Sequence, residues 1–168
     1  MISFTLALNL LFAGVLATLS VVAMVRAADG RPARAVGVAL LTAAWAAAVL
    51  FMTLRPGTGL GVRLNLIPLV VDGPGSAVDA VLNTFVFLPL GLLLAVGGAR
   101  LRTVFVTALA ITLFIETTQY LTDLGRTADV NDVITNVAGA CLGWALASAI
   151  RSLAARLAPA RGAPRLLG

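Results

Sequence analysis

Lysine and histidine are absent from all 168 residues, and cysteine occurs once. Without histidine there is no Ser-His-Asp triad, no His-ligated zinc and no phospho-histidine route to lipid phosphate hydrolysis. Without lysine there is no P-loop, no Schiff base and no Ser-Lys dyad. The lone Cys141 forms no disulfide within the chain and builds no thiolate metal cage, so it carries no sign of redox compartment. Charge is also scarce. Charged residues make up 11% of the chain and apolar ones 60%, where a soluble domain is about a quarter charged. What chemistry there is falls to Asp, Glu, Arg and amide side chains.

Uninterrupted apolar sequence is what the chain has in abundance. A span needs roughly 20 apolar residues to cross about 30 Å of hydrocarbon. Five stretches meet that length: 2–25, 35–54, 80–99, 103–121 and 133–150. Backbone polar groups in lipid must be bonded internally, so all five read as helices. The predicted fold is an all-α, polytopic membrane bundle of about five transmembrane helices. The stretch 2–25 lacks the basic start and short apolar core of a cleaved signal peptide, and is read as a retained span. The chain divides into two N-terminal transmembrane helices (1–54), a core of outer loop plus three helices (55–150), and a basic tail (151–168).

Arginine sets the predicted orientation. Arg26, Arg31, Arg34, Arg100, Arg102, Arg151, Arg156, Arg161 and Arg165 fall on one side of this map, and Arg55, Arg63 and Arg126 on the other. The positive-inside rule then places the N-terminus outside and the C-terminus in the cytoplasm. The basic tail reads as a topology anchor at the lipid interface, not as a nucleic-acid-binding segment. Six of the seven acids, Asp72, Asp79, Glu116, Asp123, Asp129 and Asp132, lie on the outer side. Glu116 sits about 20 Å up its helix from the cytoplasmic end, roughly 10 Å short of the outer surface. An ionisable group at such depth is costly unless paired or wetted, and it marks a candidate site.

Helical spacing gathers these groups by face. Asp79 and Asn83 stand at i, i+4; Glu116, Gln119 and Tyr120 at i, i+3, i+4; Asp129, Asp132 and Asn136 at i, i+3, i+7. Arg55, Arg63 and Arg126 are the counter-charges in the adjoining loops. Such a cluster can bind a pyrophosphate or carboxylate through bidentate arginine contacts. It can equally hold Mg²⁺ or Ca²⁺ through oxygen ligands, the one cofactor class left open. Plainer uses compete. Asp129 with Asp132, and Ser76 with Asp79, fit variants of a helix capping box. Asn83 and Asn136 fit interhelical hydrogen-bond glue, and Glu116 fits a structural ion pair with arginine.

The segment 55–78 is long for a structureless connection, and its apolar centre is too short to cross. It reads as a re-entrant or interfacial outer loop capping the cluster. Gly57, Gly59 and Gly61 follow no strand, so they do not make a nucleotide loop. Pro89 and Gly91 predict a bend and extra room in the middle of their helix. Gly139, Gly143 and Ala147 form a small-residue stripe fit for packing within the chain or for a homodimer. The odd helix count and the lack of repeats argue against an inverted-repeat transporter in one chain.

Two blocks of sequence carry a resemblance. Thr53-Leu-Arg-Pro56, Asn65-Leu-Ile-Pro68 and Asn83-Thr-Phe-Val-Phe-Leu-Pro89-Leu-Gly91 resemble the first half of the VanZ-like family. Ile115-Glu-Thr-Thr-Gln119 with Gly125-Arg126-Thr-Ala-Asp129-Val-Asn-Asp132-Val-Ile-Thr-Asn136-Val-Ala-Gly139 resembles its second half, the more specific of the two. The glycine-rich stretch before Asn65, and Leu69 in place of an aromatic, depart from the family pattern. The resemblance implies a small integral protein of the bacterial cytoplasmic membrane. The family's founding member is associated with resistance to teicoplanin, a lipoglycopeptide acting on cell-wall precursor at the outer leaflet. No settled mechanism comes with it.

Three functions follow as expectations. The first is a cell-envelope factor that engages a lipid-linked wall precursor or lipoglycopeptide from the outer leaflet. Its ligand-binding residues would be Arg55, Asn65, Asp79, Asn83, Glu116, Gln119, Arg126, Asp129, Asp132 and Asn136. The second is an intramembrane enzyme on a polyprenyl phosphate, with Glu116 or Asp132 as general base or metal ligand. The third is a small transporter or flippase with Glu116 as a proton or ion site.

Overall fold

The computed structural model describes residues 14, 33–54, 64–69, 74–122 and 125–157. The predicted span 2–25 apart from Gly14, the loop arginines Arg55 and Arg63, Asp72, Asp123 and the tail beyond 157 lie outside the described residues. Four helices are present among the described residues: α1 (Ala33–Leu54), α2 (Pro74–Val96), α3 (Leu101–Thr122) and α4 (Val130–Leu157). Two short strands, β1 (Leu64–Asn65) and β2 (Ala128–Asp129), pair in parallel with Leu64 opposite Ala128 and Asn65 opposite Asp129.

Three of the helices are long and apolar enough to cross a membrane: Ser76–Val96, Leu101–Thr122 and Val130–Leu157. Val36–Met52 is a shorter apolar helix. The expected boundaries of α1 and α3 match within two residues, whereas α2 and α4 begin earlier than the apolar runs that announce them. Pro74 opens α2, a position where its missing N–H costs nothing. Asp79 therefore lies in the second turn of α2, and the capping-box reading of Ser76 with Asp79 is corrected. Helix α2 starts at Pro74, inside the loop expected to reach residue 78.

The α2–α3 connection is tight and its ending is chemically specified. Gly98 adopts φ +86°, a conformation that glycine reaches without Cβ strain. Its N–H donates to the Ala95 carbonyl at 3.0 Å, and the Ala99 N–H donates to the Leu94 carbonyl at 2.9 Å. This pair of bonds is the Schellman closure of a helix. Two side chains reinforce the same end: Arg151 donates to the Ala95 carbonyl at 2.6 Å, and the Trp144 indole to the Ala99 carbonyl at 2.9 Å. Arg151 thus belongs to α4 and is bonded to the end of α2.

Among the described elements, helices α2 and α4 share the most extensive interface. Small residues make it possible. A Cβ on Gly91 would lie 2.7 Å from the Ala140 carbonyl carbon; on Gly139, 2.9 Å from the Thr84 Cα; on Gly143, 3.0 Å from the Leu92 nitrogen. Gly139, Gly143 and Ala147 are buried against α2 within the chain, which leaves the homodimer reading of this stripe no exposed surface. Pro89 lies inside α2 and is fully buried, and the room expected at Pro89-Gly91 is filled by the α4 backbone. Around the seam pack Trp45, Val49, Phe87, Leu90, Val104, Ala108, Ile115 and Ala140. Trp45 and Phe87 meet edge to face with centroids 5.4 Å apart, and the Trp45 indole donates to the Val86 carbonyl at 2.7 Å. Leu40, Phe51, Phe85, Phe114 and Leu142 point outward, as helices in lipid require.

Candidate functional site

All four helices meet at one polar cleft of about 160 Å³. Its polar lining is Asp79 and Asn83 from α2, Glu116 and Gln119 from α3, Asp132 and Asn136 from α4, and Arg126 from the α3–α4 connection. Its apolar walls are Val49 and Met52 from α1, Leu82, Val86 and Phe87 from α2, and Ile115 from α3. The i, i+4 and i, i+3 spacings read from sequence do place each pair on one face, and the three faces converge. Tyr120 does not line the cleft; its ring is 43% exposed.

The cleft is graded along its depth. Arg126 stands near its mouth, with Nη1 making a long 3.5 Å contact to the Met52 carbonyl close to the end of α1. It lies within Coulombic reach of Asp79, Glu116 and Asp132 together. The Asn83 amide interacts with the Asp132 carboxyl across the α2–α4 interface. At the inner end, Asn136 Nδ2 donates to Thr112 Oγ1 at 2.9 Å, joining α4 to α3. Two buried oxygens of the cleft lining, Gln119 Oε1 and Asn136 Oδ1, have no hydrogen-bond partner among the described residues. The glue reading of Asn136 is therefore right for one half of its amide only.

Glu116 and Asp129 have structural roles that interlock. Asp129 precedes α4 and caps it: its Oδ1 accepts the Asn131 backbone N–H at 2.8 Å. In a capping box the residue three positions on would accept the cap residue's own N–H. Here Glu116 Oε2, from α3, accepts the Asp129 N–H at 2.8 Å. Asp132 is thereby released to face the cleft, and the capping-box reading of Asp132 is corrected. The reading of Glu116 as an arginine-paired strut is corrected too, since its bonded partner is a backbone amide.

Asn65 and Asp129 lie outside the cleft and brace it. Asn65 Nδ2 donates to Asp129 Oδ2 at 3.0 Å, while Asn131, which the sequence reading missed, ties down the chain beyond it. Asn131 Nδ2 donates to the Ile67 carbonyl at 3.1 Å, and Asn131 Oδ1 accepts the Leu69 N–H at 2.6 Å. That clamp holds Leu69 at φ 59°, uncommon for a residue other than glycine. Leu66, Ile67 and Leu69 are exposed above these contacts, a character suited to a lipid interface. Residues 64–69 thus brace the start of α4 and do not line the cleft. Removing the hub is a direct test: Asp129→Ala takes away the cap and the Asn65 anchor and costs about 1–2 kcal/mol in thermal unfolding. An unchanged melting temperature would show that the cap contributes nothing.

The sequence reading also missed Thr112 and the α1 wall. Thr112 stands four residues before Glu116 on the same face, so the helical period could have found it. Val49 and Met52 carry no polar marker and could not be told from lipid-facing residues. Among the described residues, no group of three or more carboxylate or thiol side chains is arranged to hold a metal ion.

Fold and cleft together define a class: an α-helical membrane protein with a polar cleft built into its apolar helices. No curated protein and no solved structure matches the chain. The VanZ/LLP1 family profile matches residues 38–151, and the chain belongs to that family. The match runs from within α1 to within α4 and takes in every described residue of the cleft.

Proposed function

We propose that this is a cell-envelope binding protein of the bacterial cytoplasmic membrane. It takes the headgroup of an amphiphile into the cleft from the outer leaflet. The single observation carrying this reading is the cleft's lining: seven polar side chains set between apolar walls, on helices whose outward faces are apolar. A polar headgroup with attached chains matches both surfaces at once. Lipid-linked wall precursor and lipoglycopeptide are the amphiphiles that the family resemblance points to, with resistance of the teicoplanin type as the outcome. Arginine distribution supports five spans, an outer N-terminus and a cytoplasmic C-terminus. Glu116 is already bonded to the Asp129 backbone, which favours binding over a proton-carrying or general-base role.

Arg126 is the group placed to meet a phosphate or carboxylate at the mouth. Full-length protein purified in mild detergent should retain a polyprenyl-phosphate lipid detectable by mass spectrometry. Arg126→Ala should lower that retention about ten-fold, the loss of one charge-assisted contact. A glycopeptide-sensitive bacterium expressing the chain should lose its teicoplanin protection in the same variant. Unchanged lipid retention and protection in well-expressed Arg126→Ala and Asp132→Ala would overturn the reading.

A further inference from the structure

The cleft lining has a hydrogen-bonding character of its own. Gln119 and Asn136 are each only 5% exposed, and both line the cleft. Each leaves a side-chain oxygen without a partner among the described residues. A buried acceptor left unpaired is costly, so native proteins seldom keep one unless something else completes it. The surroundings point the same way, because the Asp79 and Asp132 carboxyl groups add further acceptor oxygens to the lining. Among the described residues, Arg126 is the one cationic side chain lining the cleft, and its contact is with the Met52 carbonyl near the mouth.

We infer that the cleft binds a hydrogen-bond-donating headgroup, whose hydroxyl or amine groups donate to Gln119 Oε1 and Asn136 Oδ1. The inference rests on the amphiphile-binding reading and adds the chemistry of the group that the cleft takes in. A fully ionised phosphate brings only acceptor oxygens and meets acceptors. A sugar hydroxyl or a primary amine brings the N–H or O–H that both amides lack. The anionic part of a bipartite headgroup would remain near Arg126.

Trp45 supplies the readout, since it packs on the cleft residue Phe87. The second of the two tryptophans, Trp144, is bonded at the far end of α2 and can be removed as Trp144→Phe. The full chain in nanodiscs of zwitterionic lipid is titrated with octyl glucoside, octylamine and octyl phosphate, each below its micellar concentration. Octyl glucoside or octylamine should bind more tightly than octyl phosphate. The two arms tell a hydroxyl from an amine. Gln119→Leu should weaken the preferred donor about ten-fold and leave octyl phosphate within about two-fold. Asn136→Leu also breaks the bond to Thr112, so Gln119→Met serves as the milder variant, with thermal unfolding as the check on folding. Tighter binding of octyl phosphate overturns the donor inference and leaves the amphiphile reading standing. Equal binding by wild type and Gln119 variants also overturns it, because water then satisfies these oxygens. Failure of all three probes overturns the amphiphile reading itself.

Discussion

Gly91→Ala, a change of one methyl group, should destabilise the folded protein by at least about 3 kcal/mol, the upper end for overpacking a core. Gly91→Val should yield no folded protein. The expected size comes from what the new atom meets. It would lie 2.7 Å from the Ala140 carbonyl carbon and 2.8 Å from the Trp144 nitrogen, both backbone atoms of α4. A flexible side chain can turn away from such a contact; a helix backbone can relieve it only by moving as a body. Because α2 and α4 form the largest interface, that movement would strip contacts along the whole seam. The same relation holds at Gly139 against Thr84 and at Gly143 against Leu88 and Leu92, so α4 cannot pivot away at one point cheaply. Gly37→Ala in α1 is the control. Nothing lies within 4 Å of its added Cβ, and helix propensity predicts an effect between zero and a gain of about 1 kcal/mol. Thermal unfolding by circular dichroism in one detergent compares them all. Gly91→Ala melting together with Gly37→Ala would mean that α2 and α4 do not approach this closely. The seam also sets the width of the cleft, since Gly139 packs on Thr84, the neighbour of Asn83.

The helices were legible in sequence where apolar runs end at a charged residue, as at both ends of α3, beside Arg102 and Asp123. They were misplaced where a helix begins with polar residues. The apolar runs at 80–99 and 133–150 omit Asp79 and Asp132, because a hydropathy argument discards the acids. Both acids are helical and face the cleft, so the discarded residues were the ones that matter to the site. Likewise α4 continues past residue 150 because Arg151 finds the Ala95 carbonyl, a partner 56 positions away that local sequence does not reveal. Within the site, spacing alone grouped Asp79 with Asn83, Glu116 with Gln119 and Asp132 with Asn136. Spacing could not divide Asp129 from Asp132. That division depends on Glu116 of a different helix taking the Asp129 N–H, which is a tertiary fact. The small-residue stripe was legible as a packing surface, and only the fold shows that its partner is α2. Fold consistency across these levels breaks down at the polar cleft, where apolar helices bury amides with unpaired oxygens.

Glu116→Ala should lower stability by about 2–4 kcal/mol, whereas Glu116→Gln should recover all but about 1 kcal/mol of it. Glu116 is 8% exposed, and its Oε2 accepts the Asp129 N–H at 2.8 Å. Alanine leaves that N–H without its partner at the junction where α3, β2 and the start of α4 meet. The loss is felt beyond one bond, because Asp129 also caps α4 and anchors Asn65. Glutamine keeps an sp² oxygen in the same place and loses only the charge. The pair therefore separates two roles that the sequence alone merged. If Glu116 is a positioning residue, Glu116→Gln folds and retains bound amphiphile, and only alanine loses both. If the carboxylate itself contacts the ligand, Glu116→Gln folds and retention falls. Glu116→Gln melting as low as Glu116→Ala would sink the bonding argument, because an amide oxygen would then be no substitute. Slowed exchange of the Asp129 amide proton in wild type and Glu116→Gln, lost in Glu116→Ala, would tie the effect to this one donor. The prediction reaches from α3 into the next helix, so its success would also establish that Asp132 faces the cleft because Glu116 has taken its place at the cap.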